Sequence, residues 1–307
     1  MPRLIQSPAR LLLAFALIMG AAIVGPATRL FASPAGQPAT LGGTAHQPTL
    51  RAAAVKASSI PVDHEDFQTE QRLLTLANQS RQQAGAPPLT MDAGLSQAAR
   101  IHAQAMVQAR RLSHRFDGEP SLPQRLAATT QLQLEQEGEN VALDYDAEHG
   151  HEDLMLSPPH RANLLNPAYN VVGMGVVRSG NQIYIVQDFG SAIPKYSLAE
   201  VKQHVATAVN QTRRQASRPE LQRRDGLDAD TTACSMARSD KLGMPASSKP
   251  AERFTVLTYT SLHPEVLPGA GARAVAGRDL RSFSIGVCYR RTPSYPTGVY
   301  WIVLSLE

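Results

Sequence analysis

Cysteine is nearly absent from this chain, with two in 307 residues. Two thiols cannot build a disulfide-stapled scaffold, a cysteine-based zinc ribbon or an iron–sulfur site. Apolar runs are short as well. Leu11–Val24 holds 14 residues, below the about 20 that a bilayer-spanning helix needs. Concentrated positive charge is also lacking. Thirty Lys+Arg against 26 Asp+Glu give +4, but the pairs Arg213-Arg214, Arg223-Arg224 and Arg290-Arg291 are scattered rather than gathered into a stripe. That distribution fits a solvated surface and argues against a nucleic-acid partner.

What is present at the start is an export pattern. Arg3 and Arg10 precede the apolar run, and Gly25-Pro26-Ala27 follows it. A basic start, a short apolar stretch and small residues near a cleavage point describe a secretory signal. Residues 1–32 are expected to be a signal peptide or an uncleaved signal anchor, and only the second would tie the chain to a membrane. Without them the chain carries 27 basic and 26 acidic residues. Residues 33–195 hold 12 basic and 16 acidic, and 196–307 hold 15 and 10. The excess of positive charge therefore reports targeting and an acidic half beside a basic one.

A length of 307 residues suggests two domains at roughly 150 residues each. Residues 33–62 are rich in Ala, Pro, Gly, Ser and Thr and read as a flexible linker. From Asp63 the apolar spacing turns helical and stops at Gly85-Ala86-Pro87-Pro88. Asp92 caps a second helix that ends near Leu112. A short helical piece is expected at Gln124–Ala128 and another helix at Ala147–Leu156. Val171–Val177 and Ile183–Phe189 alternate as a hairpin around Ser179-Gly180-Asn181.

The chain also repeats itself. A shift of 132 residues lays Leu73–Leu95 over Val205–Leu227 with 10 of 23 positions identical, among them Asn78/Asn210, Arg81/Arg213 and Pro87/Pro219. Gly175-Val176-Val177 and Tyr184-Ile185-Val186 have counterparts in Gly286-Val287-Cys288 and Trp301-Ile302-Val303. The second copy is shorter, and its missing middle is where the polar motifs of the first copy lie. Asn78-Gln79-Ser80 and Asn210-Gln211-Thr212 match the glycosylation sequon, but as repeat-equivalent helix positions they read as structural.

Four blocks of the first copy stand out: Ser113-His114-Arg115, Gly138-Glu139-Asn140-Val141-Ala142, Ser157-Pro158-Pro159-His160-Arg161-Ala162-Asn163-Leu164-Leu165, and Val172-Gly173-Met174-Gly175-Val176. In this order they resemble the CAP superfamily (cysteine-rich secretory proteins, antigen 5, pathogenesis-related proteins), most closely its bacterial exported branch. The resemblance is close over 68–191 and weak over 200–307. It implies an α+β fold, an α-β-α sandwich at 63–195, followed by a shortened, degenerate CAP-like α/β copy at 196–307. It also implies a cleft lined by two His and two Glu. His114 matches the first His, Glu139 the first Glu and His160 the second His. For the fourth position the candidates are Glu152 and, less favoured, Glu148.

Two imidazoles and a carboxylate can act in three ways. They can ligate zinc or another divalent metal, with His114 and His160 as ligands. They can transfer protons, with His114, Glu139 and His160 as the candidates. Or they can bond to one another and only hold loops together. Ser157, a further candidate for the cleft, lies three residues before His160, but no G-x-S-x-G elbow surrounds it, and Ser before Pro is a helix-ending signal. Eight acids and no Lys or Arg fall in Glu135–Asp153. This run departs from a calcium loop, with Gly150 one place late and Met155 at the twelfth position, and reads as an acidic rim of the cleft. In an exported chain Cys234 and Cys288 can pair; two free buried thiols are the other reading.

The expected protein is a secreted or cell-envelope binding module rather than an enzyme. Its partner is expected to be an envelope component, a lipid-like ligand or a protein. A metal-dependent hydrolase and a purely structural protein are the alternatives.

Overall fold

A computed structural model describes residues 63–224, 228–243 and 255–307; the expected signal at 1–32 and linker at 33–62 lie outside the described residues. Two sheets organise these segments. The first half runs β1 (His64–Glu65), α1 (Phe67–Gln83), β2 (Thr90–Met91), α2 (Ala93–Ala109), α3 (Leu122–Thr129), β3 (Gln133–Asp144), α4 (Ala147–Leu156), α5 (Pro158–Leu164), β4 (Val171–Ser179) and β5 (Gln182–Ile193). The helix expected from Asp63 begins four residues later because the Asp66 carboxylate caps it, accepting from Thr69 N at 3.0 Å. Glu139–Ala142, to which the apolar spacing assigns no element, lies inside the twelve-residue strand β3.

The first sheet has the order β1-β4-β5-β3, with β2 pairing β4 in parallel. Its period-two alternation divides the core. Val172, Met174, Val176, Ile183, Ile185 and Phe189 pack with α1, α4 and α5. Val141, Val177, Tyr184 and Val186 pack with α2, and Leu134 packs with α2 and α3. The layering is helix, sheet, helix, as the resemblance implies. Gly180, with φ 64°, turns the hairpin between β4 and β5 as its spacing predicts.

The second half adds α6 (Leu198–Gln215), β6 (Gln222–Arg223), α7 (Ala229–Ser239), β7 (Thr255–Ser261), α8 (Gly269–Val275), β8 (Ser282–Arg290) and β9 (Val299–Leu306). Its sheet order is β6-β8-β9-β7. That is the order β2-β4-β5-β3 again, with the parallel pair in the same place. Arg81 and Arg213 play one role in the two halves. Arg81 donates to the carbonyls of Pro87, Leu164, Asn166 and Tyr169 at 2.6–2.9 Å. Arg213 donates to those of Pro219 and Val275, at 2.7 and 3.0 Å, and to Gly277 O. Asn78 and Asn210 accept from the amides of Leu89 and Leu221. Cys234 on α7 and Cys288 on β8 form a disulfide. Among the described residues nothing in the second half corresponds to α3 and α4.

The described residues belong to one compact unit. Hydrogen bonds join the halves, among them Gln133 Nε2 to Gly298 O at 3.2 Å. Among the described residues no helix is long and apolar enough to cross a membrane.

Candidate functional site

The site gathers at the edge strand β3. Successive residues of β3 point to opposite faces, so Glu139 faces the α2–α3 side and Asn140 the α4–α5 side. Gly138 before them leaves room for Tyr169, whose hydroxyl oxygen would lie 2.5 Å from any Cβ there. Asn140 Nδ2 donates to His160 O and to Gln187 Oε1, both at 3.1 Å. Asn163 Nδ2 donates to Asn140 Oδ1 at 3.0 Å and to Glu139 O at 3.2 Å. These bonds fix α5, and with it His160, against the strand.

On the other face, Glu139 is the centre. His114 Nδ1 meets Glu139 Oε1 at 2.9 Å, and Arg125 Nη2 donates to Glu139 Oε2. The Arg125 and Glu139 side chains are only 5% and 4% exposed, whereas His114 is 60% exposed. Arg125 also donates to the His114 carbonyl at 3.1 Å. His114 is therefore a surface imidazole anchored at Nδ1 to a buried carboxylate. The hydrogen bond to Glu139 raises its pKa above the usual histidine value. His160, half-buried, shifts the other way through burial and through the nearby positive charge of His114. The structure brings these three sequence-predicted residues into one neighbourhood.

Glu152, expected as the fourth, stands exposed on α4, where its charge acts on His149. Glu148 is paired with Arg72 at 2.7 Å. Ser157 joins α4 to α5, its N–H bonded to Asp153 O and its carbonyl to Arg161 N; its place is that of a helix junction. The acidic rim also needs correction. Of the run Glu135–Asp153, Glu139 and Asp144 are buried, and Asp146 caps α4.

Four residues carry the site that no motif indicated. Glu119, five residues after His114, accepts from Phe116 N at 2.9 Å and contacts His102 Nδ1 at 2.6 Å. His102 is fully buried, and its Nε2 donates to Ser113 O at 2.7 Å. Together they shape the loop that presents His114. Arg125 is the third. The fourth is Asp188, fully buried and paired across the strands with Glu139. Burial, and then the Glu139 charge, push its carboxyl well above the usual carboxylate range, so it stands beneath the site as a neutral acid. One sequence signal existed for Asp188, a lone acid at an inward-facing position of an apolar strand.

The donor set does not fit a divalent metal as arranged. Both Glu139 oxygens are engaged, one of them by a guanidinium. Among the described residues no three His, Cys, Asp or Glu side chains form a group that could hold an ion.

Comparison with known proteins places this geometry. Residues 74–189 match the "CAP: Cysteine-rich secretory protein family". A curated relative, the uncharacterized protein YkwD of Bacillus subtilis, is 32% identical over 113 residues, which is 36% of this chain and 44% of that protein. The chain thus spans less than half of that relative's length. Among solved structures, an extracellular SCP-domain protein from Bacillus anthracis is 25% identical, covers 41% of each chain and has a TM-score of 0.37. An outer surface protein from Borrelia burgdorferi is 20% identical over 43% of this chain and 100% of its own, with a TM-score of 0.40. The family match over 74–189 and the Bacillus relative, together with the four motifs on their sandwich, show that the chain carries a CAP domain over these residues, similar to those of bacterial proteins.

Proposed function

We propose that this chain is an exported binding protein of the cell envelope or extracellular space. In this reading its CAP domain offers the cleft of His114, Glu139 and His160 to an envelope component, a lipid-like molecule or a protein partner. The observation that carries the reading is the engagement of Glu139. With His114 on one oxygen and Arg125 on the other, the carboxylate is committed to holding the imidazole and is not left free as the base of a metal-dependent hydrolase. What faces solvent is the far side of an anchored imidazole, with a second imidazole nearby. Such groups recognise polar parts of a ligand by hydrogen bonding.

Residues 196–307 are read as a shortened, degenerate CAP-like copy. The recurring strand order and the matched Arg81/Arg213 and Asn78/Asn210 bonds support this. That copy has no matching His-Glu-His set in its sequence and is read as a packing or partner-binding module.

A thermal-shift screen of the purified chain against lipids and envelope fragments tests the reading. A true ligand at a hundredfold over Kd adds about 2.7 kcal/mol, and His114→Ala and His160→Ala should abolish its effect. If both variants lose stability while no ligand acts on the wild type, the cleft is structural. Stoichiometric zinc binding that His114→Ala abolishes would instead restore the metal reading.

A further inference from the structure

The turn joining β8 to β9 carries Arg291, Thr297 and Gly298, and all three reach into the first half. Arg291 Nη1 donates to Ala127 O at 2.7 Å and Nη2 to Thr130 O at 2.8 Å. These carbonyls close the last turn of α3, an eight-residue helix with no cation of its own there. Final helix carbonyls lack intrahelical donors and form the negative end of the helix dipole. A guanidinium fork meets both needs at once.

The same turn holds β3. Thr297 Oγ1 donates to Leu134 O at 3.2 Å and accepts from Leu134 N at 3.3 Å, at the register shift between Leu134 and Glu137. Gln133 Nε2 donates to Gly298 O. Helix α3 carries Arg125 and strand β3 carries Glu139. The two elements whose meeting forms the Arg125–Glu139 contact are thus gripped by one turn of the second half.

We infer that Arg291 is a positioning residue for the cleft. By fixing the end of α3 it sets Arg125 on Glu139 and on the His114 carbonyl, and so fixes which way the His114 ring faces. The second half thereby acts as the clamp of the first. This holds whatever ligand the cleft takes, so failure of the proposed function leaves it standing.

The test uses the full chain and the ring-nitrogen chemical shifts of His114, well above its titration. In the wild type the Nδ1–H tautomer, donating to Glu139, should dominate. Arg291→Ala should move the tautomer ratio toward Nε2–H by about tenfold, the usual order of coupling between distinct sites. The double variant Cys234→Ser/Cys288→Ser destabilises the same half without touching the clamp, and should leave the ratio unchanged. Arg291→Lys, which keeps the charge but not the fork, should give an intermediate ratio, and stands in if Arg291→Ala does not fold. A lowered Tm with an unmoved tautomer ratio in the Arg291 variants would overturn the inference.

Discussion

Replacing Arg125 by alanine tests the electrostatic account of the site most directly. Arg125 is almost wholly buried and is the guanidinium partner of Glu139, itself 4% exposed. Removing it leaves Glu139 facing only the exposed His114 and, across the strand pair, the acid Asp188. Breaking a buried ion pair by deleting one partner costs about 3–5 kcal/mol, because the remaining charge is stranded. For a unit of this size each kcal/mol moves Tm by about 2–4 °C, so Arg125→Ala should melt roughly 6–20 °C lower. The loss of packing around the guanidinium stem adds to this. The decisive measurement is the second substitution. Arg125→Ala/Glu139→Gln removes the stranded charge and should recover a large part of the loss, with a coupling between the two sites of about 1–3 kcal/mol. Thermal and guanidinium unfolding of wild type, both single variants and the double variant supply the cycle. Additive losses would refute the argument, since they would mean that Arg125 acts by bulk and not by charge.

Other outcomes follow from the same geometry. His114 should titrate above the ordinary histidine value and His160 below it; NMR titration of the two rings reads both, and Glu139→Gln should bring His114 back down. Asp188 has a raised folded pKa, so the folded chain holds a proton that the unfolded chain releases above about pH 4. Its unfavourable contribution is absent in acid and grows as pH rises through the window above the unfolded value. Asp188→Asn should therefore flatten the fall of Tm between acid and neutral pH, and a slope equal to wild type would count against a neutral Asp188. Any Cβ at Gly175 would strike the backbone of Ala99, and one at Gly286 that of Ala229. Gly175→Ala and Gly286→Ala should each cost about 1–3 kcal/mol or more by chemical denaturation. Loss of the Cys234–Cys288 bond, which spans 54 residues, should cost about 3–4 kcal/mol, read as a reductant-sensitive unfolding midpoint.

Much of this site was legible before the structure because its motifs are also its supports. Gly138, Glu139 and Asn140 stand together in the sequence because the strand needs a gap, a buried acid and a bridging amide at consecutive positions. Asn163 follows His160 at the spacing that returns a helix side chain to the strand. What was illegible lies in pairings between distant segments. Arg125 looks like any surface arginine of a short helix until α3 is laid over β3, and Arg291 is one of a scattered basic pair until its turn is placed beside α3. Glu119 carried no signal in the sequence because apolar spacing says nothing of where a loop folds back. The likeness of Leu73–Leu95 to Val205–Leu227 was readable in the sequence, and Arg81 and Arg213 within it both bond to backbone carbonyls, a demand that stays fixed while side chains around it change.

The contact of Thr297 with β3 also bears on how the chain stays apart from its neighbours. An edge strand offers unpaired amide and carbonyl groups on which another chain can build. At Leu134 both groups are already taken by one threonine hydroxyl, and the bulge beside it breaks the straight line that an incoming strand would need. A chain cut after residue 195 would bare that segment, and its first failure would be association along β3 rather than unfolding.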